Sequence, residues 1–163
     1  MNFLLKINNM CLDKWDVRFI ELAKHVATWS KDKSTQVGSV IVNPIDKNPI
    51  SMGFNGFASK VDETKKERHE RPLKYSYTVH SEANAIANAA KNGQKTKDCV
   101  IYVNFFPCSN CAGLIVNAGI NKVICENEPD FNDERWGESW KISYNILIEG
   151  GVLIKYLNYA NRR

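Results

Sequence analysis

At 163 residues, 44% hydrophobic and 25% charged, the chain has the size and balance of one soluble globular domain that buries a core without disulfide staples. A net charge of +4 and a pI near 8.8 suit a small anionic ligand and argue against nucleic acid as a partner, since no basic stripe interleaved with aromatics accompanies them. No apolar run nears the roughly 18 residues of a membrane span, the apolar start is broken at Lys6, and five cysteines, an odd number, do not read as a disulfide framework; the expected setting is a reducing cytoplasm with no membrane partner.

Trp15, Phe19, Leu22, Ala23, Val26 and Ala27 recur at three- and four-residue steps and predict a first helix with Asp13 as its N-cap. Residues 37–42 predict a short buried strand stopped at Asn43-Pro44, and residues 50–54 its antiparallel partner. Residues 55–79 break the pattern. Polar, weakly periodic and rich in Lys, Arg and Glu, they read as a long insert, functional or mobile, within a single domain spanning 1–163. Helical spacing returns at 81–90, closed by Gly93. A strand at 99–103, a helix at 107–118 closed by Gly119, and a strand at 122–125 follow. A helix at 135–149 closed by Gly150-Gly151 and a strand at 152–156 complete the chain. A hairpin followed by strand–helix alternation predicts the α/β class, as a three-layer α/β/α sandwich with a mixed five-stranded sheet.

Two strings concentrate the chemistry: His80-Ser81-Glu82 and Pro107-Cys108-Ser109-Asn110-Cys111, each opening a predicted helix. Alone, Cys-x-x-Cys fits a redox pair, half a structural zinc site or two buried thiols. Together, His-x-Glu followed by Pro-Cys-x-x-Cys is the zinc deaminase signature. Cys108 and Cys111 share one helix face and can converge on one ion. The helix N-terminus favours their thiolates, and His80 supplies a nitrogen. Three protein ligands leave a fourth position for water, the mark of catalytic Zn²⁺. Glu82 faces differently from His80 and suits proton transfer from zinc-bound water to the ring nitrogen beside C4 of a cytosine, while hydroxide attacks C4.

Other residues take blander roles. Cys11, Cys99 and Cys125 read as buried small hydrophobes. His25 and His69 read as non-ligands, with the option that His69 joins Cys11 in a second zinc site. The stretch 136–140 reads as helix packing rather than a base-stacking platform.

From about residue 15 to 123 the chain resembles the deoxycytidylate (dCMP) deaminases, within the wider cytidine deaminase superfamily. The resemblance rests on the two strings above, on Ser30-Lys31-Asp32-Lys33-Ser34-Thr35-Gln36-Val37-Gly38, on Gly53-Phe54-Asn55-Gly56, and on Lys74-Tyr75-Ser76-Tyr77-Thr78-Val79 leading into His80. It implies hydrolysis of dCMP to dUMP, a homohexamer, activation by dCTP and inhibition by dTTP, with Mg²⁺ accompanying the effector. By the motif match Asn43 would hold the sugar and Ser34 would lie near the substrate phosphate, with Lys31 as a further candidate contact. Asn55 and Gly56 fall in the effector-binding string, and Arg68 and Arg71 belong to the positive charge of the insert. Two positions depart from the family pattern: Ser81 replaces the usual alanine, and Phe54 the usual tyrosine. Activity on another substrate (dCTP, a modified dCMP, tRNA adenosine, guanine) and a non-catalytic nucleotide-binding relative stay open at this level; the intact Glu82 weighs against the latter.

Overall fold

Alternate strand residues feed two different cores. In β1 (Gly38–Asn43), Val40 and Val42 pack with Phe19, Ile20, Ala23 and Val26 of α1 (Lys14–Ala27), while Ile41 belongs to the opposite face. In β5 (Val100–Val103) the same period sends Val100 and Tyr102 toward α1 and Ile101 and Val103 away from it. The away face is covered by α3 (Ser81–Lys91), α4 (Ser109–Asn117) and α5 (Gly137–Glu149), which contribute Ala85, Ala112, Ile115, Trp140 and Leu147. The computed structural model describes residues 13–157, so Cys11 lies outside the described residues.

The main sheet has five strands in the order β2-β1-β5-β6-β7, with β2 at Asn48–Phe54, β6 at Lys122–Cys125 and β7 at Leu153–Tyr156. β1 runs antiparallel to β2 and β5, and β5, β6 and β7 are mutually parallel neighbours. The expected three-layer sandwich with a mixed five-stranded sheet is therefore the fold. On the α1 side, Asp16 accepts from Tyr102 Oη (3.0 Å) and Lys155 Nζ (2.8 Å), joining the helix to β5 and β7. Asp13 caps α1 as expected, within a capping box with Asp16. Among the described residues no helix is long and apolar enough to cross a membrane.

The insert is more ordered than its composition suggests. Residues 55–79 hold β3 (Gly56–Phe57), a 3-10 turn (Lys66–His69), α2 (Lys74–Tyr77) and β4 (Thr78–Val79). β3 pairs with β4, so the insert leaves and returns at one point beside the start of α3. None of residues 58–77 is buried. Aromatic contacts hold them instead: Phe57 stacks on His69 at 4.7 Å, and the Arg68 guanidinium lies 4.7 Å over Tyr77. Elements this short carry no readable periodicity, which is why the sequence pattern fades here.

Candidate active site

The site is built where α3 and α4 begin. α3 is seated hard against β2: a Cβ at Gly53 would lie 2.4 Å from the backbone of Ser81 and Ala85. Polar side chains fasten the same seam. Asn84 Nδ2 donates to Phe54 O (2.9 Å), Asn88 Nδ2 to Met52 O (3.0 Å), and Ser51 Oγ to Ala85 O (2.7 Å). His80 occupies the N-cap of α3 and Cys108 the N-cap of α4, both in extended backbone and neither spending its side chain on a capping bond. Cys111 follows in the first turn of α4.

These two N-termini bring three donors together. His80 Nδ1 lies 3.3 Å from Cys108 Sγ and 3.6 Å from Cys111 Sγ, and the three ligand atoms lie within 4.8 Å of one another. Among the described residues this is the one such group of His, Cys, Asp and Glu. A hydrogen bond from Cys111 and the His80 ring hold the Cys108 thiol down at about 4, against the cost of burial. Cys111 is pushed up, by sharing its proton with Cys108 and by burial. One imidazole nitrogen and two thiols are the donor set that a tetrahedral zinc takes when three protein ligands hold it. The residues present fit the metal.

Glu82 stands beside this cluster, 3% exposed. Burial pushes its carboxyl up, while its own backbone N–H, His80 and Ser81 pull it back. Ser81 Oγ donates to Glu82 Oε2 at 2.9 Å, and Ser39 Oγ lies 2.6 Å from Ser81 Oγ. Both serines are fully buried. The serine that replaces the family's alanine is thus a hydrogen-bond donor to the carboxylate, a role that its small size alone did not suggest. No motif marks Ser39.

One cavity reaches the cluster and a second adjoins the first. The smaller, about 70 Å³, is lined by His80, Ser81, Glu82 and Cys108, and further out by Asp32, Ser34, Thr35, Asn55, Lys74, Tyr75, Phe105, Arg135 and Trp136. The larger, about 680 Å³, is walled by Trp29, Lys31, Phe54, Gly56, Phe57, Glu63, Lys66, His69 and Arg71. Asp32, Ser34, Lys74 and Thr78 line both. The shared wall is an ion pair: Lys74 Nζ lies 2.7 Å from Asp32 and 2.7 Å from Ser34 Oγ. Burial alone would raise Asp32, but Lys74 and the Ser34 and Thr35 donors bring it down to about 2.

The structure sorts the other expected residues by cavity. Ser34 reaches the smaller one, whereas Lys31 sits on the larger and pairs with Glu63. Asn43 is not brought to the cluster. It ends β1 four residues beyond Ser39, about 13 Å along the strand at the usual rise, and its side chain accepts from Ile45 N. Gly56 and Arg71 line the larger cavity. Asn55 does not; it is buried on the smaller one, where its amide accepts from Val37 N (2.8 Å) and donates to Thr35 O (2.9 Å). Arg68 is drawn off by Tyr77 and Asp62 O and lines neither cavity. The stretch 136–140 divides: Trp140 is buried and donates to Phe106 O, as helix packing requires, but Trp136 lines the smaller cavity, its ring 6.5 Å from that of His80. Cys99 and Cys125 are buried free thiols, as expected.

A buried carboxylate beside one imidazole and two thiols, all presented by two helix N-termini, is what a zinc-dependent deaminase requires, and the mixed sheet beneath is of the cytidine deaminase type. The sequence model of the cytidine and deoxycytidylate deaminase zinc-binding region matches residues 13–127. An uncharacterized deaminase of the luxG 3′ region in Aliivibrio fischeri is 39% identical over 146 residues, 90% of this chain and 95% of that protein. The deoxycytidylate deaminase of Homo sapiens is 38% identical over 138 residues, 82% of this chain and 75% of its own length. Other animal relatives are spanned less fully, down to 54% of the Caenorhabditis elegans protein. The dCMP deaminase of cyanophage S-TIM5, solved with dCMP and dUMP, superposes with a TM-score of 0.72 at 21% identity, over 90% of this chain and 99% of that one. The chain belongs to the cytidine and deoxycytidylate deaminase family.

Proposed function

We propose that the chain hydrolyses dCMP to dUMP and ammonia. The observation that carries this reading is the convergence of His80, Cys108 and Cys111 beside the buried carboxyl of Glu82. These three residues would hold zinc, which supplies a water acidic enough to lose a proton near neutral pH. Glu82 takes the proton released by the attacking water and delivers it to the ring nitrogen beside C4; a second proton leaves with the amine as ammonia. Trp136 and Phe105 form an aromatic wall along the cavity, fit to lie against a pyrimidine. The deoxycytidylate deaminases among the relatives support a deoxynucleoside monophosphate as substrate.

The same reading assigns the larger cavity to an effector. Lys66 and Arg71 give it positive charge beyond the Lys31–Glu63 pair, and Trp29, Phe54 and Phe57 give it flat apolar surface, a combination suited to a nucleoside triphosphate with Mg²⁺. dCTP would activate and dTTP inhibit through the Asp32–Lys74 wall that both cavities share, within a homohexamer. Phe54 meets Trp29 edge-on and contributes shape without a hydroxyl. The test is product identification by mass after incubating the purified protein with cytosine, adenine and guanine nucleotides. dUMP from dCMP is expected; a different deaminated product, or equal kcat/KM for dCMP and deoxycytidine, overturns the assignment. Rate titrations with dCTP and dTTP at sub-saturating dCMP, and sedimentation with each, test the effector part.

A further inference from the structure

Four charged side chains line the smaller cavity: Asp32, Lys74, Glu82 and Arg135. Asp32 and Lys74 cancel in their 2.7 Å pair. Glu82 is buried at the metal ligands. Arg135 alone among these four offers charge to a ligand. Its guanidinium has no carboxylate partner among the described residues; it bonds Tyr75 Oη at 3.0 Å and lies over the rings of Tyr75 (5.6 Å) and Trp136 (4.9 Å). Arg135 and Tyr75 are both exposed, so their bond sits at the cavity rim. Trp136 neighbours both this guanidinium (4.9 Å) and the His80 ring (6.5 Å). The charge therefore lines the same cavity as the metal ligand His80, with Trp136 in contact with both.

We propose that Arg135 is a specificity-determining residue that binds the 5′-phosphate of the substrate and so selects nucleotide over nucleoside. The proposal rests on the reading that the substrate is a nucleoside monophosphate. Two flanking aromatic faces pre-set the guanidinium plane, which spares ordering entropy when a phosphate arrives in the forked geometry arginine favours. The cavity as it stands is small against the roughly 300–1,000 Å³ of ligand sites, so the rim must widen on entry. The Tyr75 hydroxyl is a neutral partner that a dianionic phosphate outcompetes, and widening the rim gives up that bond and the ring contact with Tyr75.

The experiment compares kcat/KM for dCMP and for deoxycytidine in zinc-loaded wild type, Arg135→Ala, Arg135→Lys and Arg18→Ala. Arg18 carries a similar stacked guanidinium, over Trp15 on α1, and serves as the remote control. In wild type dCMP is preferred. Arg135→Ala lowers that preference about 10- to 100-fold, the scale of hydrogen bonds to a charged group, and Arg135→Lys, with charge but no fork, recovers part of it. Arg18→Ala keeps the wild-type ratio. A wild-type ratio in Arg135→Ala, or a collapse caused by Lys31→Ala but not by Arg135→Ala, overturns this proposal and leaves the dCMP reading standing. A wild type that does not prefer dCMP overturns both.

Discussion

The smaller cavity is floored by the first turns of α3 and α4, whose Ser81, Glu82 and Cys111 are buried, whereas the larger is walled mostly by loops and short turns in which no residue from 58 to 77 is buried. The first is fastened by backbone-close packing at Gly53 and by three side-chain bonds between α3 and β2. The second is held by ring stacking and by exposed ion pairs such as Lys31–Glu63. Bond-making chemistry tolerates errors of only a fraction of an ångström, so its groups sit on rigid elements. Recognition of a multiply charged ligand tolerates more, and exposed segments of low local stability can adapt to it. Asp32, Ser34, Lys74 and Thr78 are common to both walls, and the proposed effector control would act through them.

The contrast can be broken most severely at the metal. Cys111→Ala should leave wild-type zinc content unmatched and activity nearly abolished, because even outer-shell partners of metal ligands are worth about 10–100-fold and a ligand is worth more. Metal analysis beside a dUMP assay checks it; full zinc retention in the variant would place the metal elsewhere. Next in size is Gly53→Ala. The added methyl has backbone on both sides, so α3 must shift; overpacking costs about 1–3 kcal/mol and should lower Tm by several degrees while reducing zinc occupancy. An unchanged Tm and metal content would show that α3 is less tightly seated than this contact implies.

A smaller effect is expected at Ser81. Ser81→Ala removes the bond to Glu82 Oε2 and strands the Ser39 hydroxyl, so kcat should fall about tenfold with KM for dCMP nearly unchanged. A rise in KM without a fall in kcat would argue that the serine shapes the cavity rather than the carboxylate. The mildest effect at neutral pH is expected from Lys74→Met. The folded carboxyl of Asp32 is depressed to about 2 from an ordinary 3.8. Its contribution to stability is complete above the ordinary value and is lost as pH falls toward 2. Without Lys74 the depression of Asp32 shrinks, so less stability is lost as pH falls below the ordinary value and the acid-side fall of Tm should be shallower than in wild type. Superimposable Tm-against-pH curves would show that the pair does not hold the wall.

Much of the fold was legible because the strands and helices carry clear periods: β1 and β5 alternate between two cores, and α1 shows its stripe and cap. The metal ligands were legible because two short strings fix them at helix starts. What escaped the sequence depends on long-range placement. Ser39 meets Ser81 across 42 residues and Arg135 meets Tyr75 across 60, and no local pattern encodes either. Asn55 shows the converse. Its motif suggests an effector site, and tertiary packing sets it on the smaller cavity, bonded to Val37 N and Thr35 O. Trp136 differs from Trp140 only in which side of the α5 start it occupies, and one helical turn separates a cavity wall from the core.

The proposed division of labour between the cavities rests on Glu82 as the proposed proton carrier of the smaller one. Its most direct test is the kcat for dCMP of Glu82→Gln, measured with zinc content and Tm on the same preparation. Glutamine keeps the shape but holds no exchangeable carboxyl proton. The account predicts wild-type zinc, a near-wild-type Tm and a fall in kcat of at least about 10²–10⁴-fold. A zinc-loaded, folded variant that keeps more than about a tenth of wild-type kcat, on the same scale, would contradict it.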